Sequence, residues 1–323
     1  MSLLPPAPFH TALPVDDALF HEVIYLTHAG WEDIAPGKAY PNTDHPSFYY
    51  FKWEEGRVMP SFNLAMVFEG GGEFETRRHR RVLKAGDCFL ILPGEWHRHR
   101  PDPATGWKMA WVEFNGTLAF DWWRSGALGS PSDFPAVAHR DMLKAQFGRL
   151  LGDVRAAPSR NSTHYSRQLI GLMSHIVKDT GDAASEKGAG DDPVEKAVAC
   201  IWNYSHGVLD VPAVARHAGI GRGALERKFR ARKGRGILDE IHRCRFERAS
   251  RLLTETDIPI KLVVERAGFG SQERMRLVFH KLAGKSPERF RNDARPPDKD
   301  GARGAKGKDD AKRGQSRPDS PHG

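Results

Sequence analysis

Between about residue 20 and residue 115 apolar residues fall in short runs separated by Gly and Pro, as in Ser47–Trp53, Phe62–Phe68, Asp87–Leu92 and Lys108–Phe114. Gly70-Gly71-Gly72 and Pro93-Gly94 are expected to end such runs. Many short strands with turns between them predict an all-β barrel or sandwich over 21–135. From 136 to 178 the spacing turns helical. Leu143, Phe147, Leu150, Leu151 and Val154 form one stripe, and Leu169, Leu172, Met173, Ile176 and Val177 form another. Ala157-Pro158-Ser159 turns the chain between them, and the pair either covers the barrel or forms a dimer seam. Residues 1–20 are Pro-rich and read as a loosely attached arm, 179–192 as a flexible linker, and 294–323, almost without apolar residues, as a disordered tail.

The helical pattern of 193–293 repeats itself. Val214-Ala215-Arg216-His217-Ala218-Gly219-Ile220 is followed by Leu225, Phe229 and Gly234. Val263-Val264-Glu265-Arg266-Ala267-Gly268-Phe269 is followed by Met275, Phe279 and Gly284. The second copy has one more residue in its turn. Two tandem helix-turn-helix units are expected. Asp192-Pro193 and Asp210 with Pro212 read as helix starts, Ser271 as an N-cap and Ser286-Pro287 as another. Leu225 with Phe229, and Met275 with Phe279, would pin each second helix to the core. The outer faces are then left with Arg222, Gly223, Glu226, Arg227 and Arg230 in the first unit. In the second they hold Ser271, Gln272, Glu273, Arg274, Arg276 and His280. Arg and Gln on such a face suit base edges, and flanking cations suit phosphates.

Charge sharpens this division. The chain of 323 residues has a formal net charge of +8, and the excess lies in 191–295, while 1–190 is slightly acidic. A polyanionic partner for the C-terminal part follows, against the plainer alternative of a solvated basic face. Cys88, Cys200 and Cys244 lie far apart and read as small core residues in a reducing compartment. Met1-Ser2-Leu3-Leu4-Pro5-Pro6 does not read as a signal peptide, and no run approaches a membrane span; a soluble, cytoplasmic protein is expected.

Residues 193–292 resemble the DNA-binding domain of the AraC/XylS family of transcriptional regulators. The match is carried by Ala218-Gly219-Ile220, Leu225, Arg227, Phe229, Gly234, Arg245, Ala249 and Leu252-Leu253. In the second half it is carried by Ile260, Ala267-Gly268-Phe269, Ser271, Phe279, Gly284, Ser286-Pro287 and Phe290-Arg291. Gly221 departs from the family's capping Ser, and Leu277 stands where a base-reading Arg is common. Residues 62–116 are similar to the family's cupin-like effector-binding domain through Phe68-Glu69-Gly70-Gly71-Gly72, Ala85-Gly86-Asp87, Leu92-Pro93-Gly94-Glu95-Trp96-His97 and Trp111–Gly116.

The resemblance implies an α+β chain of two domains, a cupin-like barrel with a helical pair and an all-α domain with two helix-turn-helix units. It implies an effector site in the barrel built around Trp111, with Arg57, His97, His99 and Met109. The expected partners are double-stranded DNA, a small-molecule effector (a sugar or sugar derivative), a second copy of the chain and RNA polymerase. No catalysis, cofactor, metal or membrane partner is expected. Two rival readings are a metal-dependent sugar-modifying cupin with His97 and His99 as ligands, fused to a DNA-tethering module, and a constitutive regulator whose barrel serves only dimerisation.

Overall fold

The computed structural model describes residues 7–13, 23–41, 51–77, 79–128, 139–158, 163–176 and 192–294. The N-terminal part is an antiparallel sheet of eight strands curled into a half-barrel. They are β1 (Phe9–Ala12), β2 (Tyr25–Ile34), β3 (Arg57–Val58), β4 (Phe62–Thr76), β5 (Arg80–Lys84), β6 (Cys88–Ile91), β7 (Trp96–Pro101) and β8 (Trp107–Asn115). The main path runs β1-β2-β8-β4-β7-β3, and β5 and β6 also pair with β4.

The glycine run at 70–72 does not end a strand. β4 continues through it, pairing with β8 and β6 over its first half and with β7 and β5 over its second. The register slips between Val67 and Glu69, and Gly70 has φ of +71°. A Cβ at Gly70 would come within 2.2 Å of the Gly106 carbonyl oxygen. The glycines therefore bend one long strand so that it belongs to both flanks of the half-barrel. Two further expectations need correction. Phe9–Ala12, within the segment read as a loose arm, is strand β1 on the edge of β2, and residues 51–53 of the Ser47–Trp53 run are not in a strand. Residues 47–50, the linker before Asp192 and the tail from 295 lie outside the described residues.

Alternation along the strands gives the sheet two apolar faces. Ala110, Val112 and Phe114 of β8 point outward with Ala29 and Trp31 of β2, while Trp107, Met109 and Trp111 point inward. Helices α1 (Thr117–Arg124), α2 (Arg140–Ala156) and α3 (Thr163–Met173) follow the sheet. The α2 and α3 stripes are buried on its outer face, with Phe147 edge-on to Phe68 at 6.3 Å. The described residues of those stripes pack within the chain, and Val177 lies outside the described residues. Helix α1 was hidden in a stretch assigned to the barrel.

The C-terminal part is all-α: α4 (Pro193–Tyr204), α5 (Val211–Ala218), α6 (Arg222–Lys233), α7 (Ile237–Glu255), α8 (Ile260–Arg266), α9 (Gln272–Ala283) and α10 (Pro287–Ala294). The side chains of Asp192 and Asp210 accept from Val194 N and Ala213 N at 2.9 and 2.8 Å and cap α4 and α5. Units α5–α6 and α8–α9 repeat one another, and Leu225, Phe229, Met275 and Phe279 are all fully buried. Arg245, itself buried, donates to the carbonyls of Ser205 and Gly207 and fixes the connection between α4 and α5. One apolar cluster runs from the outer face of the sheet through α1–α3 into the first helix-turn-helix unit, whereas the second unit has its own core around Phe279.

A buried polar group joins sheet to helices. Arg251 of α7 donates to Glu113 of β8 at 2.5 Å and to Ser61 Oγ at 3.0 Å. His28 of β2 lies 2.7 Å from Glu255 of α7 and 3.4 Å from Glu113. Burial and the charge of Arg251 press the His28 imidazole down, but Glu255 and Glu113 more than offset them and hold it above its ordinary value. Removing one member of a buried pair strands the other's charge. Arg251→Ala should therefore destabilise the protein by about 3–5 kcal/mol in urea denaturation, and adding Glu113→Gln to that variant should recover part of the loss. A loss below about 0.5 kcal/mol would mean that the pair behaves like an exposed one.

Candidate functional site

Cross-strand register builds the inner site. His10, Gly30, Trp111 and Ala65 stand in one row across β1, β2, β8 and β4, and His28, Glu113 and Asn63 stand in the next. The Trp111 indole lies over Gly30, where a Cβ would meet it at 2.4 Å, so only glycine admits this placement. His10 stacks on Trp111 at 5.4 Å and on His28 at 5.7 Å. Burial, followed by the His28 charge, lowers the His10 pKa to about 4.

Beside Trp111 lies a cavity of about 20 Å³ among Glu32, Tyr40, Arg57, Asn63, His99 and Met109. That is room for one water molecule, not for a sugar. The structure brings Arg57, His99, Met109 and Trp111 together around this cavity. His97 stands just behind them. Its ring is parallel to that of His99 at 6.1 Å, and it accepts from Arg57 Nε at 3.2 Å. With Nε2 accepting, the proton sits on Nδ1, which donates to the Glu95 carbonyl at 3.2 Å. Burial, then the Arg57 charge, depresses the His97 pKa to about 3. Arg57 therefore occupies the lone pair that a metal at His97 would need. Among the described residues no group of three or more His, Cys, Asp or Glu is placed to hold a metal ion.

Sequence reasoning missed Glu32, Tyr40 and Asn63. Glu32 accepts from Trp107 Nε1 at 3.3 Å, and burial raises its pKa to about 7 against the opposing charge of Arg57. A carboxylate alternating with apolar residues along a strand was the available signal. Tyr40 sets its ring edge-on to Trp107 at 5.7 Å and closes the cavity. It follows a loop that carries no periodicity.

The second helices of the two units are the other candidate surface. Arg222, Gly223, Arg227 and Arg230 on α6 are exposed, and Glu226 is half-buried. Ser271, Gln272, Glu273, Arg274, Arg276 and His280 are all exposed around α9. Arg222 pairs with Glu226 at 3.0 Å and Arg276 with Glu273 at 2.8 Å, so these two cations are oriented by neighbours on their own helix. Arg227, Arg230 and Arg274 make no side-chain ion pair among the described residues. Ser271 caps α9 by accepting from Arg274 N at 3.2 Å, whereas Gly221 supplies no side-chain cap to α6. Leu277 is 58% exposed beside Arg276.

Comparison with known proteins agrees with this two-part layout. Residues 45–177 match the AraC-like ligand binding domain, and residues 214–293 match a helix-turn-helix domain. The arabinose operon regulatory protein of Escherichia coli is 28% identical over 247 residues, covering 72% of this chain and 81% of its own. The raffinose operon regulator RafR of Pediococcus pentosaceus is 21% identical over 248 residues, covering 75% and 88%. Among solved structures, the DNA-binding domain of AdpA in complex with a target DNA is 31% identical. It covers 32% of this chain and 92% of its own, with a TM-score of 0.31. No described helix is long and apolar enough to cross a membrane. With a match to the AraC-like ligand binding domain and a tandem helix-turn-helix module on one chain, the protein belongs to the AraC family of DNA-binding transcriptional regulators.

Proposed function

We propose that the half-barrel senses a small polyhydroxylated molecule, a sugar or sugar derivative, and that this controls how the chain engages its operator. The observation that carries the reading is the ring of polar groups around Trp111. Glu32 and Asn63 offer acceptors, Arg57 and Asn63 offer donors, and the indole offers a face to stack on. Hydroxyls need this mixture, and relatives that regulate arabinose and raffinose operons fit it. Entry requires Tyr40 to swing out, because the closed cavity is far smaller than a sugar.

On DNA, α6 and α9 would enter successive major grooves. Arg274 and Gln272 would read base edges, and Arg227, Arg230 and His280 would hold phosphates. Glu226 and Glu273 would steer Arg222 and Arg276, Ser271 would fix the start of α9, and Gly223 would let the backbone approach closely. Leu277 offers an apolar contact suited to a thymine methyl. The protein would act as a homodimer through surfaces other than the buried stripes, in contact with RNA polymerase and within the cytoplasm. The filled interior also favours a second reading, a barrel used only for assembly.

Thermal denaturation of the full chain against pentoses, hexoses and their acids separates the two. One sugar should raise the midpoint, and Trp111→Ala should abolish that shift while leaving DNA affinity nearly intact. No shift with any sugar would leave the barrel to assembly alone. A hydroxyl donating to Glu32 favours its ionised form, so sugar affinity should rise between about pH 6 and about pH 8 and lose this dependence in Glu32→Gln. Isothermal titration across that range checks it, and a flat profile in the native protein removes Glu32 from the contact. Arg274→Ala should cost about 1–3 kcal/mol of discrimination at a single base pair in operator competition assays. A uniform loss over all sequences would make it a phosphate contact.

A further inference from the structure

A cleft of about 260 Å³ lies between the turn joining β6 to β7, the end of α6 and the start of α7. Arg77, Arg232, Lys233, Arg235 and Arg243 bring five cations to it. Three of them are satisfied within the chain. Lys233 and Arg232 lie 3.4 and 3.7 Å from Glu195, and Arg232 also pairs with Asp192. Arg235 donates to one oxygen of Glu240, and the other oxygen accepts from Trp202 Nε1 at 2.8 Å. Those carboxylates are committed.

Arg77 and Arg243 are left over. Neither makes a side-chain hydrogen bond or ion pair among the described residues. The Arg77 guanidinium lies 5.4 Å from the Trp96 ring centre. Burial is the main cause that lowers the Arg243 pKa; the charge of Arg235 and, more weakly, that of Arg77 lower it further, against the opposing charges of Glu247 and Glu240. The fourth residue along the helix, Glu247, is pushed up to about 7 by burial and so neutralises Arg243 only in part near neutral pH. Two guanidinium groups thus face one cleft in which Glu195 and Glu240 are already paired with the other three cations, Glu95 lies in the lining, and Glu247 offsets Arg243 only in part. That arrangement costs Coulomb energy until an anion enters.

We propose that this cleft binds a phosphate group, free or as the ester of a small polyol. Two guanidinium forks match the several oxygens and the double charge of phosphate. Trp96, Trp123 and Val198 supply an apolar wall for the body of an ester. None of the residues around the Trp111 cavity lines the cleft, so the inference stands apart from the sugar reading. The bound group would tie Arg77, at the end of β4, to Arg243 of α7, next to the end of the first DNA-reading helix. It would favour the docked arrangement of the two domains through its differential affinity for it.

The test is isothermal titration of the full chain with inorganic phosphate, ribose 5-phosphate and ribose, for native protein and for Arg77→Gln and Arg243→Gln. Saturable binding of the phosphate-bearing probes but not of ribose is expected, with affinity lowered about tenfold or more in each variant. Arg77 is exposed, so its variant reports even if Arg243→Gln fails to fold. Tighter binding of the ester, lost in Trp96→Ala, assigns the site to a phosphate ester; equal binding of the two assigns it to free phosphate. Absence of saturable binding at millimolar phosphate, or equal affinity in native protein and Arg77→Gln, overturns the proposal. So does a variant that loses DNA affinity uniformly across sequences with phosphate binding unchanged, because the pair then holds the DNA backbone.

Discussion

Glu113 has no exposed surface, and a carboxylate so placed must be neutralised where it stands. It lies on the sheet, yet its strongest partner, Arg251, comes from the helix that joins the two DNA-reading units. On the sheet Glu113 lies 3.4 Å from His28, and the helices bring it Arg251, whose apolar stem is covered in the same step. His28 and Glu255 extend the same solution, with the cation shared between two carboxylates and an imidazole held toward its charged form. Such a group is poor as a source of net stability against a well-packed apolar seam. It is strong as a determinant of position, because any shift that parts the pair leaves a charge without water or partner. The sheet thereby sets where α7 sits.

The apolar core reinforces that constraint unequally. The outer face of the sheet, the covering helices and the first helix-turn-helix unit share one cluster, so they are joined by packed side chains as well as by ions. The second unit packs around Phe279, Phe269 and Met275 and meets the rest chiefly through α7 and surface pairs such as Lys281 with Asp239 at 2.8 Å. A perturbation at Arg251 and Glu255 therefore acts on the end of α7 nearest α8, and its first effect is on the spacing and angle of α6 and α9. DNA with grooves one helical turn apart is sensitive to that geometry.

The DNA-binding half was legible in the sequence because its information is local. Caps and apolar spacing act within a few residues, and α4, α5, α9 and α10 begin where Asp192, Asp210, Ser271 and Ser286 place their starts. The sheet was less legible. Its partners are distant, and glycines that look like breaks at 70–72 serve as a bend within a continuous strand. Trp111 was proposed from its likeness to a known pattern, and Arg57 and His99 from their places near positions of that pattern. Glu32 and Asn63 were not, because their place beside Trp111 depends on register between strands that lie far apart in the chain. The interdomain group was invisible for the same reason. Nothing near Glu113 announces that its partner lies 138 positions later.

The two rows of the sheet connect the wall of the inner cavity with the interdomain ion group. Trp111 and Glu113 are two residues apart on β8 and face the same side, and His28 stands beside Glu113 while His10 stacks on both Trp111 and His28. A ligand large enough to displace Tyr40 must press on Trp111, whose back is already against the backbone of Gly30 and so has no room to retreat. The compliant element is His10 on the short edge strand β1, with only one neighbouring strand to hold it. Moving His10 removes the aromatic cover from His28 and lets water approach Glu113 and Arg251. A buried pair that gains solvent weakens steeply, because its attraction depends on the low dielectric around it. The edge strand β1, the wall of the inner cavity and the interdomain ion group are thus in unbroken contact through His10, Trp111, His28 and Glu113.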